Sequence, residues 1–242
     1  MKGARFILSG KRQADEEEKP FWISFADLMT ALMVLFLVAM AVALLAVTKT
    51  VSEQEQRVAQ RAESIIKIME RLKQAADADA KFKDIIVDQK GYTIKYGLQA
   101  SFKKKGEYRL TPEQKQKLRA FVPKILEEAK RDEGKRWIKR IVVEGYTDKT
   151  GSYLYNLNLS LQRSQQVLCA LFATQGEELL LEEQKKEVRD LFFVGGYSFN
   201  AAKSTDEESR RVEMRLEFWR IDDEKQPQPP EARDDFGECA IR

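Results

Sequence analysis

Three places in the sequence hold residue types that could do chemistry. The first is Asp27, the one charged residue in the 27 residues from Phe21 to Val47. A carboxylate inside a bilayer costs about 2.5–3.5 kcal/mol on insertion scales unless it is neutral, paired or facing a wet pathway. An elementary charge crossing the membrane gains about 2.3 kcal/mol per 100 mV. A carboxyl that protonates and deprotonates there can couple ion flow to movement. An Asp six residues past Phe21 could equally snorkel to the headgroups. The second place is Val142–Ser152, followed by Tyr155, Asn156, Leu159, Ser160 and Arg163. A strand ending at Glu144 and a tight exit at Gly145 would put Thr147 and Asp148 on a loop that turns at Gly151. Asn158 or Ser160 would cap the next helix, with Arg163 in its early turns. An Arg fork binds a carboxylate and an Asp binds an ammonium, so together they suit a zwitterion such as an amino-acid end. A structural salt bridge beside a turn is the alternative. The third place is Cys169 and Cys239, whose spacing suits no metal site and allows at most one disulfide.

What is missing narrows the choice further. The 242 residues include no histidine, which excludes Ser-His-Asp and Cys-His centres, His-ligated zinc and His proton relays. Any titrating chemistry must fall to carboxylates, Lys, Tyr or Cys. The net charge is only +3, so bulk charge makes no case for direct nucleic-acid binding.

The elements that must position these residues follow from the pattern. Residues 21–47 are long enough to span a bilayer with some tilt. A cleaved signal peptide is the competing reading, since Ala39-Met40-Ala41 resembles a cleavage site. The long leader with Asp15-Glu16-Glu17-Glu18, and an apolar run that continues past that site, argue for a retained anchor. Basic residues are slightly more numerous in residues 1–20 than just beyond the span, which leans toward a cytoplasmic N-terminus. Residues 48–81 lack Gly and Pro. Val51, Val58, Ile65 and Leu72 recur every seven residues, with Ala62, Met69 and Ala76 at companion positions. That predicts a helical coiled-coil linker and a dimer.

Residues 82–221 predict an α+β domain with helices on one face of a small sheet. Its strands are expected at Ile85–Val87, Tyr92–Tyr96, Ile138–Glu144, Leu191–Val194 and Val212–Trp219. Its helices are expected from Thr111-Pro112-Glu113 to about Arg131, over Leu159–Ala173 with Leu161, Val167, Leu168, Leu171 and Phe172 inward, and over Glu182–Asp190. Residues 222–242 hold three prolines and an acidic excess and read as an extended tail.

Two family resemblances rest on these residues. The run from Phe21-Trp22 through Ser24, Ala26-Asp27-Leu28-Met29-Thr30 to Met33 and Phe36 resembles the membrane helix of MotB-type stator subunits. That resemblance implies that Asp27 carries a transported H+ or Na+, with Ser24 and Thr30 as polar neighbours on the ion path. It also implies a dimer inserted into a MotA-like ring. Gly145-Tyr146-Thr147-Asp148, Gly151, Tyr155-Asn156, Leu159-Ser160 and Arg163 resemble the signature of OmpA-like peptidoglycan-binding domains over residues 82–220. That resemblance implies that Asp148 and Arg163 grip the diaminopimelate of the wall peptide. Thr147, Gly151, Tyr155, Asn156 and Leu159 would shape the groove. Arg210 and Arg211 match the family's closing Arg pair more weakly, because Ser209 stands where an Asn is usual.

Peptidoglycan lies outside the inner membrane, so the domain would be periplasmic and residues 1–20 cytoplasmic. Both cysteines would then sit in an oxidising compartment, which favours a Cys169–Cys239 disulfide pinning the tail. The whole resembles a wall-anchored B subunit of an ion-driven motor. Its membrane run is more similar to the Zorya anti-phage and sodium-type PomB branches than to flagellar stators of the proton type, and its short heptad-like linker favours the Zorya branch with its ZorA-type ring. That resemblance implies no metal site, no cofactor and no enzymatic activity. A flagellar MotB- or PomB-type subunit and a passive wall tether are the alternatives.

Overall fold

The computed structural model describes residues 14–96, 102, 104–223 and 235–241, with side chains from residue 22 onward. The first 13 residues of the expected cytoplasmic segment and most of the expected tail lie outside them. The chain forms two compact units, residues 1–57 and 58–242.

Helix α1 runs without a break over Ala14–Asp77, so one helix belongs to both units. In the first unit every described side chain is exposed, including Phe25, Leu35, Phe36 and Leu45. A helix that is apolar all round needs a bilayer or a partner to cover it. It is the one helix among the described residues long and apolar enough to cross a membrane.

In the second unit α1 departs from the expected linker. Ile65, Met69, Leu72 and Ala76, read above as a seam for a second helix, are at most 2% exposed within this one chain. With Ile68 they join the cluster that contains Phe121, Val122 and Ile125, Met214 and Leu216. The seven-residue spacing is real, but the domain's own core covers this stripe. Val51, Val58 and Ala62 of the expected seam remain exposed. Arg71 secures the arrangement with Nε 2.6 Å from Glu128 Oε2, and Arg61 Nε donates to the Trp219 carbonyl at 2.7 Å.

After a short 3-10 turn at Ala80–Phe82 come strands β1 (Ile85–Asp88) and β2 (Thr93–Tyr96). Helix α2 (Pro112–Lys130) starts with the expected Thr111 cap, in a capping box completed by Gln114. The short α3 (Asp132–Trp137) leads directly into β3 (Ile138–Gly145). Helices α4 (Tyr153–Leu171) and α5 (Glu182–Leu191) precede β4 (Phe192–Gly196). The short α6 (Asp206–Ser209) precedes β5 (Val212–Phe218). The strand order is β1-β2-β5-β3-β4, with β3 and β4 parallel and the other pairs antiparallel.

Alternation sorts the two faces of the sheet. Ile141, Val143, Met214 and Leu216 enter the core beneath the helices. Glu144, Glu213 and Arg215 occupy the opposite face, where Arg215 holds Glu144 through both carboxylate oxygens at 2.8 and 3.0 Å. The α+β domain is as expected, while α3 and α6 had no clear sequence signal. Helix α4 begins six residues earlier than expected. Ser152, rather than Asn158 or Ser160, caps it, so Arg163 sits in its middle. Leu161 is 40% exposed, whereas Val167 and Leu171 are buried as expected. Cys169 and Cys239 form a disulfide that ties residues 235–241 to α4. Phe236 stacks on Phe172, and Gln166 donates to the Ile241 carbonyl.

Candidate functional site

The site in the second unit is built where β3 ends. A Cβ at Gly145 would collide with the Ser160 carbonyl, and one at Gly196 would lie 2.6 Å from Leu161 Cγ. These two glycines are register partners on β3 and β4. Their bareness lets α4 lie against the ends of both strands, which brings α4 side chains beside the loop that leaves β3.

That loop is heavily tied. Thr147 N–H donates to the Ser198 carbonyl, and Ser198 N–H donates to Ser160 Oγ at 3.1 Å. Gly151 turns the chain at φ +101°, a conformation open to glycine at little cost. Asn156 is 1% exposed and donates to the Thr150 and Ser152 carbonyls at 2.9 and 3.2 Å. Its role is therefore to hold the loop on the helix.

A cavity of about 200 Å³ opens here, lined by Lys105, Gly106, Thr147, Asp148, Thr150, Gly151, Tyr155, Asn156, Leu159 and Arg163. The expected groove residues all line it, and Asp148 and Arg163 share it. They are not each other's hydrogen-bond partners. Asp148 Oδ1 accepts from Thr150 N–H at 2.9 Å, and Oδ2 accepts from Arg210 at 2.9 Å. Arg163 is fully buried. Its Nε donates to the Glu107 carbonyl at 2.8 Å, its Nη1 donates to the Tyr146 carbonyl at 2.6 Å, and its guanidinium lies over the Phe102 ring.

Two buried polar atoms of the cavity residues, Arg163 Nη2 and Thr147 Oγ1, have no hydrogen-bond partner among the described residues. Buried donors rarely stay unsatisfied, so these two atoms, on residues that line the cavity, mark where a polar group or a water would be accommodated. Burial lowers the Arg163 guanidinium to about 10, with Asp148 opposing the shift, so it remains a cation near neutral pH. Burial alone would raise the Asp148 carboxyl. The hydrogen bonds from Arg210 and Thr150 outweigh it and hold the group below its ordinary range.

Arg210 and Arg211, the weaker expectations, stand apart from the ligand groups. Arg210 lies behind Asp148. Arg211 pairs with Glu213 at 2.7 Å and lies over the Tyr146 ring at 4.1 Å. Lys105, Gly106 and Thr150 line the cavity without having been singled out from the sequence. Lys105 and Gly106 lie some 40 residues before Asp148, in a stretch with no family signature, and only the fold brings them near. Thr150 sits inside the signature but at one of its variable positions.

In the first unit, Ser24, Asp27 and Thr30 are spaced three apart and share one stripe of α1. Thr30 Oγ1 donates to the Ala26 carbonyl at 2.7 Å, so its hydroxyl is anchored one turn back. Among the described residues no cluster of His, Cys, Asp or Glu could hold a metal.

Comparison with known proteins agrees with both halves. Residues 9–61 match the family described as membrane MotB of the proton-channel complex MotA/MotB, and residues 102–211 match the OmpA family. Among solved structures, the periplasmic domain of MotB aligns over 54% of this chain and 65% of its own, at 16% identity and a TM-score of 0.38. The peptidoglycan-associated lipoprotein from Burkholderia pseudomallei aligns over 50% and 88%, at 16% identity and a TM-score of 0.32. The Zorya protein ZorB of Escherichia coli O139:H28 is 45% identical over 217 residues, which is 89% of this chain and 87% of that protein. Similarity at that level, carried through both the apolar helix and the OmpA-like domain, means that this chain belongs to the ZorB family of MotB-like proteins.

Proposed function

We propose that the chain is the wall-anchored B subunit of an ion-driven motor in the bacterial inner membrane, acting with a ZorA-type, MotA-like ring in anti-phage defence. The N-terminus lies in the cytoplasm and the OmpA-like domain in the periplasm. The observation that carries the anchoring role is the cavity with Asp148 ionised on one side and the unsatisfied Arg163 Nη2 and Thr147 Oγ1 on the other. An amino-acid end of the wall peptide, such as diaminopimelate, complements it. Its ammonium meets Asp148, and its carboxylate takes the free Arg163 N–H and the Thr147 hydroxyl.

Asp27 is the ion carrier. With no histidine in the chain, it is the one ionisable side chain of the apolar run, and it has Ser24 and Thr30 on its stripe. It takes H+ or Na+ from outside and releases it inward as two copies of the chain sit within the ring. The peptidoglycan grip resists the reaction torque, and no bond is made or broken.

The test joins wall binding to protection. Asp148→Ala and Arg163→Ala should each weaken co-sedimentation with purified peptidoglycan about 10- to 100-fold, the cost of removing a charged hydrogen-bond partner. Undiminished binding would refute the site. Asp27→Asn should abolish phage protection while the protein still inserts and still binds the wall. Retained protection would mean a passive tether.

A further inference from the structure

We infer that Arg210 is a positioning residue of this site: it never touches the ligand but holds Asp148 in place and fixes the loop that walls the cavity. The inference rests on the peptidoglycan-binding reading above. Arg210 caps the C-terminal end of α6, two residues before β5, and its side chain is 4% exposed. It does not line the cavity. Three contacts of its guanidinium bear on the site. Nη1 donates to Asp148 Oδ2, Nη2 to Glu207 Oε1 and Nε to the Phe102 carbonyl, each at 2.9 Å. Its own carbonyl accepts from Phe102 N–H at 2.9 Å, so Phe102 is gripped at both backbone groups.

The Phe102 ring in turn lies 4.4 Å from the Arg163 guanidinium. One arginine thus stands behind both ligand-facing charges, reaching Asp148 directly and Arg163 through Phe102. A second tie closes the wall, because Arg163 Nε holds the Glu107 carbonyl at 2.8 Å.

The charged and titratable groups around Asp148 come from four elements. Arg210 precedes β5, and Glu207 lies on α6 and is paired to Arg210. Arg163 and Tyr155 lie on α4, and Glu107 and Lys105 belong to the wall loop. Arg210 and Thr150 are the groups that hydrogen-bond the carboxylate itself. A carboxyl held below its usual range favours the folded, ionised state. That contribution is complete above the unfolded value near about 4 and is lost as pH falls through the lower folded value. Removing Arg210 leaves burial unopposed by its main counterweight, so the acid limit of ligand binding must move up.

The experiment follows co-sedimentation of the full-length protein, in detergent, with purified diaminopimelate-type peptidoglycan between about pH 3 and pH 8. Arg210→Gln should bind more weakly than wild type even at the alkaline end, because Asp148 and Phe102 lose their tie, and its acid midpoint should also rise by about 1–3 pH units, the usual effect of one neighbouring opposite charge. Arg210→Lys keeps a cation but not the fork, so its midpoint should lie between the two. Ligand titration is common to all variants and cancels in the comparison. An unmoved midpoint, or equal loss at every pH in both variants, would overturn the positioning role. If Arg210→Gln does not fold, the Arg210→Lys midpoint decides alone. Asp148→Ala separates the two claims: binding undiminished at the alkaline end refutes the site itself, whereas abolished binding beside unmoved Arg210 midpoints refutes only the positioning role.

Discussion

Gly145 and Gly196 do more for the site than their lack of side chains suggests. They face Ser160 and Leu161 at the point where α4 crosses the ends of β3 and β4, and any Cβ at Gly145 meets the Ser160 carbonyl. Gly145→Ala should therefore destabilise the domain by about 1–3 kcal/mol, as overpacking does. It should also weaken wall binding, because Thr147 and Asp148 follow directly; urea unfolding and co-sedimentation measure the two effects. At this scale much could be read in advance. The Thr147-Asp148 turn, Gly151, Asn156 and Arg163 announce a site because their spacing is local. The pairing did not follow from spacing. Asp148 takes Arg210, 62 positions away, and Arg163 takes two backbone carbonyls, because a buried charge accepts whichever partners the fold delivers. The helix cap also went to Ser152 rather than to the later Asn158 or Ser160. Asn156 was needed inside the first helical turns to hold the loop, so the helix had to begin before it.

The element that carries most surprise is α1. A heptad repeat specifies an apolar stripe and says nothing about what covers it. Here Ile65, Met69, Leu72 and Ala76 are covered by the same chain's α2 and sheet. Leu72→Ala should then cost about 2–5 kcal/mol of domain stability, the range for a fully buried leucine. Self-association, followed by sedimentation in detergent, should not change with it. A seam between two helices would show the reverse, with weakened association and little loss of domain stability. The strands were legible because β-branched runs such as Ile141-Val142-Val143 have few other uses. The short α3 and α6 were not legible, since six and four residues are too few to display a helical period.

At the scale of the whole molecule, a net charge of +3 and a balanced composition average over two unlike units. One exposes apolar side chains all round, and the other buries them under charged faces. The proposed roles divide in the same way, so the Asp27→Asn and Asp148→Ala proteins should fail differently. The first should bind the wall without protecting, and the second should insert normally without holding the wall. The Cys169–Cys239 bond adds a condition of place. It closes a 70-residue separation, and cross-links of that span contribute about 4 kcal/mol on the chain-entropy account. In a thiol-reducing compartment that increment is absent, so a copy stalled on the wrong side of the membrane is a weaker fold and an easier target for proteolysis. Under the proposed periplasmic placement, the bond works as a proof of delivery: full strength comes only to domains that have arrived where there is a wall to grip.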